Sequence, residues 1–130
     1  MKLSLQIENK ENQEILNFED LTEKQIVEVF NKIDWVAEIE KATEHKKYSP
    51  TLSLEEESED KLIWFSAVGD KDKYVFYSEC GFPGEVPSWF GLSKKIGIIS
   101  LYTEYFNDTD VVKAIKYFMN NESEKLKKLY

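Results

Sequence analysis

Between residues 51 and 105 this chain writes one strand-like segment after another and breaks only where the composition turns. Leu62-Ile63-Trp64-Phe65-Ser66-Ala67-Val68 is apolar on both faces, which marks a strand in the middle of a sheet. Gly69-Asp70-Lys71-Asp72 is a tight-turn composition. Tyr74-Val75-Phe76-Tyr77-Ser78 then returns as a hairpin partner rich in β-formers. Upstream, Thr51-Leu52-Ser53-Leu54 alternates, as do Leu3, Leu5 and Ile7, and Ile15, Leu16 and Phe18 form a short return strand after the turn at 9–12. Downstream, Lys95-Ile96-Gly97-Ile98-Ile99-Ser100-Leu101-Tyr102 is strongly β, and Gly97 inside it marks a bulge or a close approach.

Helical patterns flank this block. Asp20 with Glu23, or Thr22 with Gln25, satisfies the capping-box spacing at a helix start. Ile26, Val29, Phe30 and Ile33 follow as one apolar stripe ending near Asp34. Residues 35–42 fit either more helix or the start of a strand. A second stripe, Val111, Ala114, Ile115 and Phe118, follows the cap-type residues Asn107-Asp108-Thr109-Asp110, and the Lys-rich end from Glu122 to Tyr130 adds a turn or two. Short connections favour antiparallel hairpins. The expectation is a single α+β domain over 1–130: an antiparallel sheet of about five or six strands with two helices packed on one face.

The longest break lies at 79–93, which holds three of the five glycines and two of the three prolines. It reads as a stiff loop carrying Phe82, Trp89 and Phe90, the residue types that anchor interfaces when a loop holds them rigidly. Aromatic residues on the neighbouring strands alternate, so about half face inward by strand geometry. The outward half, with Tyr102 and Tyr105, makes an aromatic face on the open side of the sheet.

Net charge is −8, and all 17 basic residues are lysine. Arginine is the side chain best built for bidentate phosphate and base contacts, so an acidic, Arg-free chain is a poor nucleic-acid binder. It suits a basic partner, because opposite charge speeds encounter. No apolar run reaches the ~18 residues of a membrane span. The first eight residues alternate and turn acidic without the apolar stretch of a secretory signal. The lone Cys80 fits a reducing compartment, and the expected location is the cytoplasm.

No constellation reads as catalytic. His45, the only histidine, lies in a polar stretch and reads as an exposed loop residue. Cys80 lacks a neighbouring base in sequence and reads as a structural thiol. Asp70 and Asp72 alternate with Lys71 and Lys73, which is a hairpin turn rather than a calcium loop. Glu79, Glu85 and Glu104 have structural or docking roles. Phosphate-loop, dinucleotide, nucleophile-elbow and zinc motifs are absent from the sequence. No catalytic residue, metal ligand or cofactor is therefore expected, and the chain is expected not to be an enzyme.

The order of elements resembles small bacterial immunity proteins, the antidotes of contact-dependent and polymorphic toxin systems. The resemblance is carried by the capped first helix ending in Phe30-Asn31-Lys32-Ile33-Asp34, the Leu52–Leu54 strand, the aromatic hairpin Leu62–Ser78 and the closing helix Val111–Glu122. It spans most of the chain and carries over no functional residue. It implies a non-enzymatic inhibitor, monomeric or weakly homodimeric, that binds one basic toxin domain, often a nuclease, and contacts neither nucleic acid nor membrane. The expected partner-binding residues are Phe82, Glu85, Trp89 and Phe90, with Glu55, Glu56, Glu57 and Glu59 as steering charges. The alternative is an acidic mimic of nucleic acid, whose carboxylates would line one face at roughly phosphate spacing.

Overall fold

A computed structural model describes residues 2–6, 13–17, 22–44, 49–70, 72–88 and 93–130. Along the chain these form β1 (Lys2–Gln6), β2 (Gln13–Asn17), α1 (Glu23–Lys32), α2 (Trp35–Glu44), β3 (Thr51–Glu56), a 3-10 turn (Glu57–Glu59), β4 (Lys61–Gly69), β5 (Tyr74–Ser88), β6 (Ser93–Phe106), α3 (Asp108–Met119) and α4 (Ser123–Leu129). The strands make one sheet in the order β2-β1-β3-β4-β5-β6, antiparallel throughout. The class is α+β. Among the described residues there are four helices, not the two that the apolar stripes predict.

Local chemistry explains the helix starts. At α1, Thr22 Oγ1 accepts from the Gln25 amide at 3.2 Å while Gln25 Oε1 accepts from the Thr22 amide at 3.0 Å, a closed capping box. Asn107 and Asp110 do the same for α3. The ambiguous stretch after Asp34 is a separate helix. Ile33 leaves the helical region, with φ −72° and ψ 126°, and Asp34 Oδ1 then accepts from the Ala37 amide at 3.1 Å. Asp34 thus stops one helix and starts the next, swinging Trp35 and Ile39 into the core.

Alternation along the strands divides the sheet into two faces. The inward set comprises Leu52 and Leu54 on β3, Ile63, Phe65 and Ala67 on β4, and Phe76, Ser78, Cys80 and Phe82 on β5, all buried. These join Ile26 and Phe30 of α1, Trp35 and Ile39 of α2, Val111, Ala114, Ile115 and Phe118 of α3 and Leu126 of α4 in one core cluster. Ser78 is its only buried polar side chain among the described residues, and its hydroxyl is satisfied by the Tyr130 hydroxyl at 2.7 Å.

The segment read as a loop at 79–93 is mostly strand. β5 runs to Ser88 and β6 begins at Ser93, with Pro83 opposite Ile98, Gly84 opposite Gly97 and Glu85 opposite Ile96. Pairing of β4 with β5 stops at Leu62↔Gly81, so beyond Gly81 the two long strands form a two-stranded ribbon. Prolines remove a ladder donor and belong where a strand lacks a neighbour. Pro83 and Pro87 both fall in the part of β5 without a β4 partner. Gly97 marks a close approach: a Cβ there would lie 2.7 Å from Val86 Cγ2. The turn from β4 to β5 is set by Gly69, at φ +140°, and by Asp70 Oδ1, which accepts from the Asp72 and Lys73 amides at 2.9 and 3.0 Å.

Candidate functional site

The residues that alternate with the inward set form a sheet face that no helix covers among the described residues. On its central strands it carries Leu62 and Trp64 from β4, Tyr77, Glu79 and Gly81 from β5, and Ile98, Ser100 and Tyr102 from β6. Register places them in rows across the sheet: Leu62, Gly81 and Ser100 in one, Trp64, Glu79 and Tyr102 in the next. The Trp64 and Tyr102 rings meet edge-on at 6.4 Å, with Glu79 standing between them in the same row. Ser100 donates to Glu79 Oε1 at 3.1 Å and Tyr102 donates to Glu104 Oε1 at 3.1 Å, so both carboxylates are held in place by neighbours on the face.

Gly81 is where this surface sinks. With no side chain at the middle of its row, a depression of about 510 Å³ opens over it. Leu62 and Ile98 supply apolar walls, and Glu55, Glu56, Glu57 and Asp60 stand at the rim beside Glu79. The acids come together for a local reason. Glu55 and Glu56 end β3, the 3-10 turn follows, and Asp60 takes the left-handed conformation, at φ 52°, that turns the chain back into β4. The Ser58 hydroxyl donates to Glu56 Oε1 at 2.8 Å and holds that carboxyl below the usual carboxylate range.

Lys61 also lines the depression but points its charge elsewhere. Its Nζ donates to Phe118 O at 3.0 Å and Asn121 Oδ1 at 2.6 Å, at the C-terminal end of α3, and lies 4.5 Å from the Phe118 ring centroid. Among the described residues the depression combines carboxylates with the apolar side chains of Leu62 and Ile98, an arrangement suited to an aliphatic stem ending in a positive charge.

The expected site residues divide. Glu55, Glu56 and Glu57 are brought to the depression, while Glu59 stands outside it, 3.7 Å from Lys61. Glu85 is exposed on the ribbon, opposite Ile96 and lining a separate groove against α4. Phe82 is only 4% exposed, packed in the core on the inward side of β5, away from the depression, and it lines the groove between the ribbon and α4. Trp89, Phe90 and His45 lie outside the described residues. Leu62, Gly81 and Ile98 were not expected in the site. The signal was present, because once Ile63 faces inward its neighbours on an apolar strand must face out.

Elsewhere the chemistry is quiet. Cys80 is fully buried, and burial pushes its thiol up to about 12, so it is a poor nucleophile. Among the described residues no group of three or more His, Cys, Asp and Glu side chains is placed to hold a metal ion, and no helix is long and apolar enough to cross a membrane. Comparison with protein-family models, with curated proteins and with solved structures finds no match to this chain.

Proposed function

We propose that this protein is a non-enzymatic inhibitor that lays its open sheet face against a basic protein, and that this partner is the toxin domain implied by its resemblance to bacterial immunity proteins. The observation that carries the reading is the depression over Gly81, walled by Leu62 and Ile98 and lined by carboxylates, on a face that no helix covers among the described residues. An apolar centre ringed by polar groups is the anatomy of a docking surface, and negative charge on a chain of net charge −8 accelerates encounter with a cation-rich partner. A protein that occludes a toxin in the producing cell works in the cytoplasm, without cofactor or metal.

The nucleic-acid-mimic reading draws less support. Its carboxylates would follow one another along a face, whereas here Leu62, Trp64, Ile98 and Tyr102 lie among the acids. Such side chains cover an apolar partner surface and have no counterpart in a phosphate row.

The test is co-expression with a candidate toxin domain, taken from any large secreted protein with a variable C-terminal domain that proves to be encoded beside this gene. The chain is expected to co-purify with that domain and to protect a sensitive cell from it. Leu62→Asp and Ile98→Asp are expected to abolish both effects while leaving the fold intact, because both side chains are already in water. Full protection by both variants would overturn the assignment of the face.

A further inference from the structure

Four of the five large hydrophobic side chains exposed among the described residues belong to a single strand: Ile96, Ile98, Tyr102 and Tyr105 of β6, at 72%, 56%, 51% and 81% exposure. β6 is also the last strand in the sheet order, 14 residues long and paired with β5 on one side only. Among the described residues nothing covers its other edge with backbone hydrogen bonds. A long free edge presents a row of unpaired N–H and C=O groups, and edges of monomers are usually short, charged or covered. β6 is none of these along its middle, between Lys95 and the register shift near Thr103.

Its two halves differ. Ser93–Ile99 belongs to the ribbon, which has no third strand, while Ser100–Phe106 lies along the body of the sheet. Two strands alone are marginal in water. An antiparallel partner identical to β6 would lay each ribbon along the other copy's body and give both a third strand.

We propose that β6 pairs antiparallel with β6 of a second copy, about a two-fold axis through Ile99 and perpendicular to the sheet. This axis keeps both helix layers on one side and requires facing residues to share a face. Centred on Ile99, the register sets Ile96 opposite Tyr102, Ile98 opposite Ser100, Lys95 opposite Thr103 and Lys94 opposite Glu104. Exposed apolar groups then meet across the seam. Centring on Ser100 would instead set Ile96 against Glu104, and centring on Ile98 would set Lys94 against Tyr102. The seam is not where the chain's negative charge gathers, since β6 holds two lysines and one acid. The inference uses the strand's free backbone edge rather than the open face, and it stands without the toxin reading.

Sedimentation of the full chain at concentrations up to about 100 µM tests it, because self-association is concentration-dependent. The expected mass is twice the 15.3 kDa of one chain. Ile99→Cys is expected to link to itself under mild oxidation, since facing Cα atoms of an antiparallel pair are about 4.5–5.5 Å apart and fall within disulfide span. Ile96→Cys alone is expected not to link, whereas Ile96→Cys combined with Tyr102→Cys does. Cys80 is buried and does not compete. The double variant Ile96→Lys and Ile98→Lys is expected to associate at least about tenfold more weakly, with unchanged circular dichroism. A monomer at the highest concentration overturns the proposal, as does equal linking by Ile96→Cys alone. Protection of the β6 amides only when a different protein is bound assigns the edge to that protein and overturns it too.

Discussion

Phe82 and Ile98 lie one step apart on the ribbon and have opposite surroundings. Phe82 points inward among the core side chains, so Phe82→Ala is expected to cost about 3–5 kcal/mol in urea unfolding. Cys80, two residues earlier on the same inward row, gives a pH-dependent readout. Its buried thiol ionises near 12 rather than near 9. A raised folded-state value stabilises the neutral form, so the associated stability is complete below about pH 9 and is lost as pH climbs toward 12. Thiol-reactive dye is expected to label the native protein very slowly at pH 8 and quickly in denaturant. Tyr130 and Tyr74 are also shifted upward by burial, so Cys80→Val is expected to flatten the alkaline loss of stability only in part. Rapid labelling of the native protein would place the thiol at the surface instead. The inward position of Phe82 was illegible while 79–93 read as a loop. Loops have no alternation, and only the continuation of Phe76, Ser78 and Cys80 into the ribbon gives Phe82 a face.

At the scale of elements, β4 and α3 are joined through Lys61. Its Nζ reaches the carbonyl of Phe118, near the negative end of the α3 dipole, and the side chain of Asn121, with only 11% of the lysine side chain exposed. Lys61→Met keeps the stem and removes the charge. It is expected to cost about 1–2 kcal/mol and to speed amide exchange around residues 120–122. No loss of stability would mean that water replaces these bonds freely. The same scale shows what the pattern could convey. The stripes of α1 and α3 and both capping boxes were readable, because the cap side chain, the reciprocal residue and the apolar period all lie within a few positions of one another. The boundary between α1 and α2 was not, because it depends on one backbone angle pair at Ile33 and on which way Asp34 turns its carboxylate. The ribbon was hidden by Pro83, Gly84 and Pro87, which break a central strand but are tolerated where a strand has one neighbour.

At the scale of the whole molecule, residues of all four helices join the inward side chains of β3, β4 and β5 in one core cluster, and the proposed docking face is formed by the side chains that alternate with them. The acidic run precedes Leu62 directly, but Gly81 and Ile98 reach it only through the pairing of β4, β5 and β6, which is why the acids were legible as steering charges and Gly81 and Ile98 were not legible as their companions. Because the acids stand at a rim, raising salt is expected to slow association more than it speeds dissociation. Gly81→Leu probes the depression itself with little disturbance to the fold. A Cβ at Gly81 would meet Ile98 Cγ2 at 3.7 Å and Ile99 O at 4.0 Å, ordinary contacts, so a side chain there fits the protein while filling the hollow. Calorimetric titration of the proposed toxin partner into this variant is expected to show binding at least about a hundredfold weaker than to the parent, a loss of about 2.7 kcal/mol, with melting unchanged. Parental affinity in a folded Gly81→Leu protein would contradict the docking face.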